Sequence, residues 1–371
     1  MSNRTGAVDV AIIGGGIIGA TLAYRLARSG ARVLLLDRRE LGREASWASA
    51  GVISPPGPRH GTRTGLALAS YAQYPALIDE VEDQTGINVG YVRTGEIEVG
   101  AVSDLNTLQA DFEWRKTNGV DAEWLAGAAV QDREPALHER FELGVFSPGA
   151  GSVMLGRLTV AFAHAARRCG AVIREHAPVT AIVTRGSRAT HVETFDGRLP
   201  VGAVAIAAGA WSRTLGPSID FTIPTRPVRG QMMAIADPPV PIRSVIGGGG
   251  GYFVPRADGT VAVGATEEHD SGFDSRVTPA GVAMLTALVE RVVPSLAHGR
   301  LASTWAGLRP GTDDGELILG RVPHLDNVWI SSGHFRSGAL LAPASADALA
   351  ASILAGDTDP LIERFDPSRL L

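Results

Sequence analysis

The strongest chemical signal in the chain lies near its N-terminus. Gly14-Gly15-Gly16-Ile17-Ile18-Gly19 spaces three glycines as Gly-x-Gly-x-x-Gly, and an acid, Asp37, follows eighteen residues after Gly19. Each position has a task in holding a dinucleotide. Gly14 permits a tight turn, Gly16 lets backbone approach a pyrophosphate, and Gly19 allows a helix to pack closely on a strand. Free N–H groups at a helix start attract phosphate oxygens. Asp37 can accept hydrogen bonds from a ribose. A second group lies far along the chain. Arg309 follows Gly307-Leu308 and precedes Pro310-Gly311, which sets it at a constrained strand end. Its guanidinium is a rigid fork that matches a carboxylate; a surface ion pair is the plain alternative. Arg336 lies between Gly333 and Gly338, and Tyr252 directly follows the five-glycine run 247–251. For Tyr252 the plain alternative is a core aromatic.

The elements that must position these residues are legible in the pattern. Residues 8–13 read as a buried strand, 20–29 as a helix closed by Gly30, and 32–37 as a second buried strand. This β-α-β unit turns a common glycine spacing into a specific one. Asp37 would repel a 2′-phosphate, which disfavours NADP. The small residues Ala45, Ser46, Ala48, Ser49, Ala50, Gly51 and Val52 would let a helix start pack against a pyrophosphate and a flavin edge. That favours FAD over NAD, although an ordinary Ala/Ser-rich helix has the same composition. Further helices are predicted over 66–85, 104–118, 158–169, 279–293 and 342–354. Strands are predicted over 95–100, 171–174, 228–236, 252–265 (with a turn at 257–259) and 327–332. Residues 204–211 read as a buried strand running into a glycine turn, and Asp196-Gly197 as a hairpin. The dinucleotide domain is therefore expected to be discontinuous, with a β-rich domain built from insertions.

Composition excludes several classes. The chain has 371 residues, 45% hydrophobic and 20% charged, as a folded chain of two domains or one large composite has. Of 34 basic residues only Lys116 is a lysine, in a polar stretch, so an internal Schiff base is excluded. No Gly-x4-Gly-Lys-Ser/Thr run exists. The net charge is −5, the pI about 6.0, and no basic block occurs, which argues against nucleic acid. The single Cys169 allows no internal disulfide and no cysteine-based zinc cluster, and no metal is expected. The short polar N-terminal segment lacks the form of a secretory signal. The apolar stretch 10–24 is shorter than the ~20 residues a membrane span needs. A cytoplasmic protein with no membrane association is expected.

With these residues in view, the chain resembles the FAD-dependent D-amino acid oxidase superfamily over nearly its whole length, and most of all its bacterial glycine oxidase branch. The N-terminal glycines are shared by all dinucleotide folds. Further anchors are Ser49-Ala50-Gly51, Glu175-His176-Ala177-Pro178-Val179, Ala208-Gly209-Ala210-Trp211-Ser212, Pro227-Val228-Arg229-Gly230 and Tyr252-Phe253-Val254-Pro255-Arg256. The most specific are Trp305-Ala306-Gly307-Leu308-Arg309-Pro310-Gly311-Thr312 and Gly333-His334-Phe335-Arg336-Ser337-Gly338-Ala339-Leu340. The resemblance implies an α/β fold (α+β overall), with a Rossmann-like FAD-binding domain and an interleaved antiparallel, β-rich substrate domain. The expected FAD-binding segments are 1–90, 145–220 and 300–371, and the substrate segments 91–144 and 221–299.

By the same resemblance, Ile17, Ile18, Asp37, Arg38, Ala45, Ser46, Ala50, Gly51, Val52, Val179 and Gly209 join Gly14, Gly16 and Gly19 at the cofactor. So do Gly333, His334, Phe335, Arg336, Ser337, Gly338, Ala339 and Leu340, with His334 contributing backbone rather than a base. Arg309 falls on the carboxylate-binding arginine, Tyr252 on its hydrogen-bonding partner and Arg336 on a second arginine near the substrate. The implied reaction moves the substrate α-hydrogen as hydride to flavin. It yields an imine, then an oxo acid and ammonia, with molecular oxygen reduced to hydrogen peroxide. Glycine, sarcosine, D-alanine or D-proline would be the substrate, and a role in thiamine thiazole biosynthesis is implied. A D-amino acid dehydrogenase with another acceptor, and a hydroxy-acid or glycerol-phosphate dehydrogenase, are the alternatives. Cys169 lies in a different region from the cysteine that some relatives use for attachment, so FAD is expected to be non-covalent. A homo-oligomer, a tetramer, is also implied. Two departures bear on substrate choice. Gly250 stands where a glycine oxidase has histidine, within a stretch expected to offer no side-chain contact, and Val52 stands where relatives have methionine.

Overall fold

The computed structural model describes residues 8–356 and 358–371; the polar residues 1–7, read above as lacking a secretory signal, lie outside the described residues. Strand β1 (Val8–Ile13), helix α1 (Ile17–Arg28) and strand β2 (Val33–Leu36) form the expected unit, with β1 and β2 parallel. The strands are almost wholly apolar because both faces are covered. Their sheet runs in the order Ile318–Arg321, Val328–Ser332, Gly197–Ile206, β1, β2, Val172–Arg174, with the hairpin Val179–Arg185 and Arg188–Thr194 attached to Gly197–Ile206. One face packs on α1, on Leu155–Arg168 and on the long helix Gly338–Ala355. The other buries Leu34, Leu36, Val204, Ile206 and Ile330.

A second eight-stranded sheet runs Arg300–Thr312, Thr225–Ala236, Val261–Gly264, Gly251–Pro255, Val245–Gly248, Glu96–Gly100, Leu143–Ser147, Glu123–Ala126. It is antiparallel, as expected of the β-rich domain, except where Val245–Gly248 runs parallel to Glu96–Gly100. Its core lies under the helix Pro279–Val292. Arg300–Thr312 belongs to this second sheet along its length, and so does Leu143–Ser147. Sheet membership therefore does not follow the expected divisions at 300 and 145.

The glycine run 247–251 is a tight hairpin. Gly249 and Gly250 have φ of 59° and 91° and join Val245–Gly248 to Gly251–Pro255. Two successive positive φ values make the turn whose twist suits a two-residue hairpin. The run offers no side chain of its own, as expected, and side chains of other elements, among them Glu98, Val292 and Leu288, lie against it. Two helix expectations also change. Residues 66–85 form two helices, Thr64–Tyr71 and Tyr74–Thr85, because Pro75 lacks an N–H and starts the second.

The C-terminal helix starts at Gly338, not 342, and carries Pro343 inside it. Proline cannot donate to the carbonyl four residues earlier, that of Ala339. The fully buried Tyr74 hydroxyl donates to that carbonyl instead. Tyr74→Phe should therefore leave a buried acceptor unpaired and cost about 1–3 kcal/mol in denaturant unfolding. Adding Pro343→Ala, which restores a donor, should recover part of the loss. Equal midpoints for Tyr74→Phe and the parent would refute this account.

Candidate active site

The turn between β1 and α1 is built on missing side chains. Gly14 has φ 113°, and a Cβ on it would overlap the Ala207 carbonyl; one on Gly19 would overlap the Gly14 carbonyl. Helix α1 starts after Gly16 with no acidic residue in its first turn, so its positive end is left for an anion. The Ile17 amide donates to Ser46 Oγ at 2.9 Å, which ties the helix start to the small-residue helix Ala45–Ala48. Asp37, just past β2, accepts from the Gly15 amide at 2.5 Å and the Arg39 amide at 2.8 Å. Burial raises its pKa, while those amides and Arg38 oppose the shift. The carboxylate has acceptor capacity beyond these two bonds.

This turn opens into a cavity of about 1040 Å³. Gly14, Gly16, Ile17, Ile18, Asp37, Arg38, Ala45, Ser46, Ala50, Gly51, Val52, Val179 and Gly209 line it. So do His334, Phe335, Arg336, Ser337, Gly338, Ala339 and Leu340, together with Tyr252 and Arg309. Two expected residues do not line it. Gly19 packs behind the turn, and a Cβ on Gly333 would meet the Thr312 methyl and the Glu316 carbonyl. Most sites for small ligands measure roughly 300–1,000 Å³, so this volume suits a dinucleotide with a small molecule beside it. A turn with no room for Cβ atoms, a bare helix start, an acid beyond the second strand and this volume fit FAD. The N-terminal turn of Gly338–Ala355 adds a second helix start to the lining. Cys169 is exposed, beyond Leu155–Arg168, and is not among the lining residues.

The second sheet supplies the opposite wall. One row of register partners crosses five of its strands and reaches a sixth: Glu98, Gly247, Tyr252, Gly264, Met232, Trp305. Residues directly opposite one another share a face, and the side chains here use the glycines as gaps. The Tyr252 ring leans over Gly264, and its hydroxyl lies 3.8 Å from Met232 Sδ. The Arg309 guanidinium lies across Gly230, where any Cβ would collide with it. Its Nη1 donates to the Thr266 carbonyl at 3.1 Å, and no carboxylate of the described residues pairs with it. Arg336 is half-exposed, its Nη1 3.5 Å from Glu267 Oε2. His334 is buried, with Nε2 3.2 Å from Ser345 Oγ. Burial pushes its pKa down to about 3, so it is neutral at physiological pH.

Sequence reading missed a polar cluster on the same wall. Glu96, Glu98, Arg59, His60 and Ser54 all line the cavity. Glu96 accepts from the Ser54 hydroxyl. Arg59 lies 3.9 Å from Glu96 and 3.8 Å from Glu98. Burial and the Glu96 charge push the Glu98 carboxyl up to about 7, with Arg59 acting against the shift. Burial and Arg59 push His60 down to about 4. The signal was present in the strand at 95–100, where Glu96 and Glu98 flank the buried Ile97 and so share one face.

Comparison with known proteins agrees with this geometry. Residues 9–352 match the family described as FAD dependent oxidoreductase, DAO. The chain is 34% identical over 359 residues to the glycine oxidase of Pseudomonas putida, covering 96% of each. It is 34% identical over 376 residues to a Synechocystis protein named Bifunctional protein ThiO/ThiG, covering 98% of this chain and 54% of that one. The crystal structure of glycine oxidase from Geobacillus kaustophilus matches with a TM-score of 0.91 at 31% identity, over 98% of this chain and 99% of that one.

Gly19→Ala tests the turn without substituting a lining residue. Its methyl would displace the Gly14 carbonyl. The purified variant should carry severalfold less FAD per protein, judged by flavin absorbance, and recover little on adding FAD. Full occupancy would show that the turn tolerates the shift.

Proposed function

The chain belongs to the DAO family of FAD-dependent oxidoreductases, and from that membership we propose that it oxidatively deaminates glycine or a similarly small amino acid. It is an FAD-dependent amino-acid oxidase. The observation that carries the substrate class is Arg309. An arginine facing a cavity, held by one backbone carbonyl and unpaired with any described carboxylate, has most of its donors free. A substrate carboxylate supplies the missing partner in a bidentate pair.

When bound, FAD supplies the two-electron acceptor, taking the substrate α-hydrogen as hydride and yielding its electrons to molecular oxygen. The chain's own residues bind and orient. Arg309 fixes the carboxylate, and the Tyr252 hydroxyl, whose one polar contact among the described residues is the Met232 thioether, gives it a hydrogen bond. Arg336, loosely held by Glu267, stands as a second cation at the same cavity. Holding the carboxylate at two points limits how the α-carbon can lie, which is how positioning contributes to rate. Desolvation in the cavity favours the neutral amine, the form that can become an imine. His334 is not the base, since its ring is turned to Ser345. Water then hydrolyses the imino acid to the oxo acid and ammonia, and the oxygen consumed leaves as hydrogen peroxide.

Glycine oxidase relatives support glycine itself, with sarcosine, D-alanine and D-proline as the neighbouring candidates. Likeness to the ThiO/ThiG protein supports a role in thiamine thiazole biosynthesis. Placement of Cys169 away from the cavity supports non-covalent FAD, and a cytoplasmic setting suits an exposed free thiol.

The holoenzyme should be bleached anaerobically by glycine or sarcosine and should form one peroxide per amino acid oxidised in air. Bleaching by lactate or glycerol phosphate alone would overturn the reading. Arg309→Ala should keep its FAD and lose on the order of a hundredfold or more in kcat/KM, because a carboxylate is left without its partner. An unchanged KM would remove Arg309 from the substrate site.

A further inference from the structure

We infer that Glu98 is a specificity-determining residue that accepts a cationic group at the far end of a longer substrate, giving the cavity a second subsite beyond glycine. The inference rests on Arg309 and Tyr252 holding a carboxylate, as proposed above. Four observations carry it. Glu98 lines the same cavity as those two residues. No hydrogen bond from a described residue reaches its carboxylate, and its nearest cation, Arg59, is 3.8 Å away. Gly247 is a glycine in register with it, and a Cβ there would collide with Glu98 Oε2, so the carboxylate lies over that backbone. Glu96, whose acceptor is engaged by Ser54, shares Arg59 with it.

Spacing decides which group Glu98 meets. Successive strands lie roughly 4.8 Å apart. The Tyr252 hydroxyl reaches across Gly264 to Met232, while the Glu98 carboxylate lies over Gly247 on the other side of Tyr252. The two polar ends are therefore roughly 10 Å apart, twice the strand spacing. Glycine is too short to span that gap, so Glu98 does not touch its amine. After a hydrogen bond of about 2.8 Å at each end, roughly 4.4 Å remains, which suits an acid with an ammonium group about two methylenes from its carboxylate.

Charge decides the sign. The groups facing Glu98 are Glu96, Arg59, Asp111 and Arg115, with His60 neutral above about pH 4. With Glu98 ionised, three carboxylates face the two guanidinium groups that act on it, so its immediate surroundings are short of one positive charge, while Arg63 lines the cavity beside His60. An anionic end group would deepen that deficit and a cationic one removes it.

The test uses ligands that cannot be oxidised because they lack an α-amine. Titrate the holoenzyme with 3-aminopropanoate and with butanoate, its counterpart of equal chain length without the ammonium group, following the flavin spectrum and heat of binding. The amino acid should bind at least tenfold more tightly at pH 8. The preference should shrink toward pH 6, since protonation of Glu98 through about 7 removes its charge. Glu98→Gln should bring the two affinities within threefold and abolish the pH dependence, and Glu98→Asp should retain part of the preference. Equal binding of both acids by the parent overturns the subsite, as does an unchanged ratio in Glu98→Gln. Glycine oxidation, measured in parallel, reports separately on the parent reaction. If butanoate binds but glycine is not oxidised, the reaction has failed and not the subsite.

Discussion

Gly307 has no room for a side chain, because a Cβ there would overlap the methyl of Ala48. At this point the strand Arg300–Thr312 of the second sheet touches the helix Ala45–Ala48, which follows the nucleotide unit. Trp305 fixes the contact by donating its indole N–H to the Ala48 carbonyl at 3.0 Å. The helix in turn holds the start of α1 through Ser46. One close approach therefore sets the distance between the nucleotide turn and the wall that carries Arg309 and Tyr252. A larger residue at 48 or 307 would part the two walls, and orientation by two separate elements would be lost. The Ala/Ser-rich run was read as a place for a cofactor to lie close. It is equally the place where the second sheet lies close to the nucleotide unit.

The same device recurs inside the second sheet. Gly230, Gly247 and Gly264 each face a long polar side chain that lies across them: Arg309, Glu98 and Tyr252. Strand side chains normally stand upright from the sheet. Lying flat over a glycine, each of these reaches toward a neighbouring strand's column. A pleated sheet thereby presents polar groups at positions that simple alternation would not give.

Much of the nucleotide half was legible, and for a physical reason. Its signals are local: apolar strands, a glycine turn and an acid lie within one stretch of chain. The start of the C-terminal helix was not, because it depends on a partner far away in sequence. Pro343 reads as a helix start when only local rules apply. It is tolerated inside the helix because Tyr74, from another helix, takes over the freed carbonyl. Sheet membership of Arg300–Thr312 was hidden for a similar reason. Its partner strand, Thr225–Ala236, lies some seventy residues earlier.

Within the site, the residues found from sequence were those flanked by glycine or proline, such as Arg309 and Arg336. The residues missed, Glu96, Glu98 and Arg59, sit in ordinary surroundings, where an acid on alternate strand positions reads as a solvated face. What distinguishes Glu98 is the glycine facing it from another strand, and that pairing exists only once Val245–Gly248 lies beside Glu96–Gly100. The glycine run and the acidic pair are thus two halves of one feature. Gly247 makes the space and Glu98 fills it with a charge, so an open wall at 247–251 does not mean an apolar one. Reading the run alone suggested only a roomier pocket, whereas the paired strands assign that room a sign.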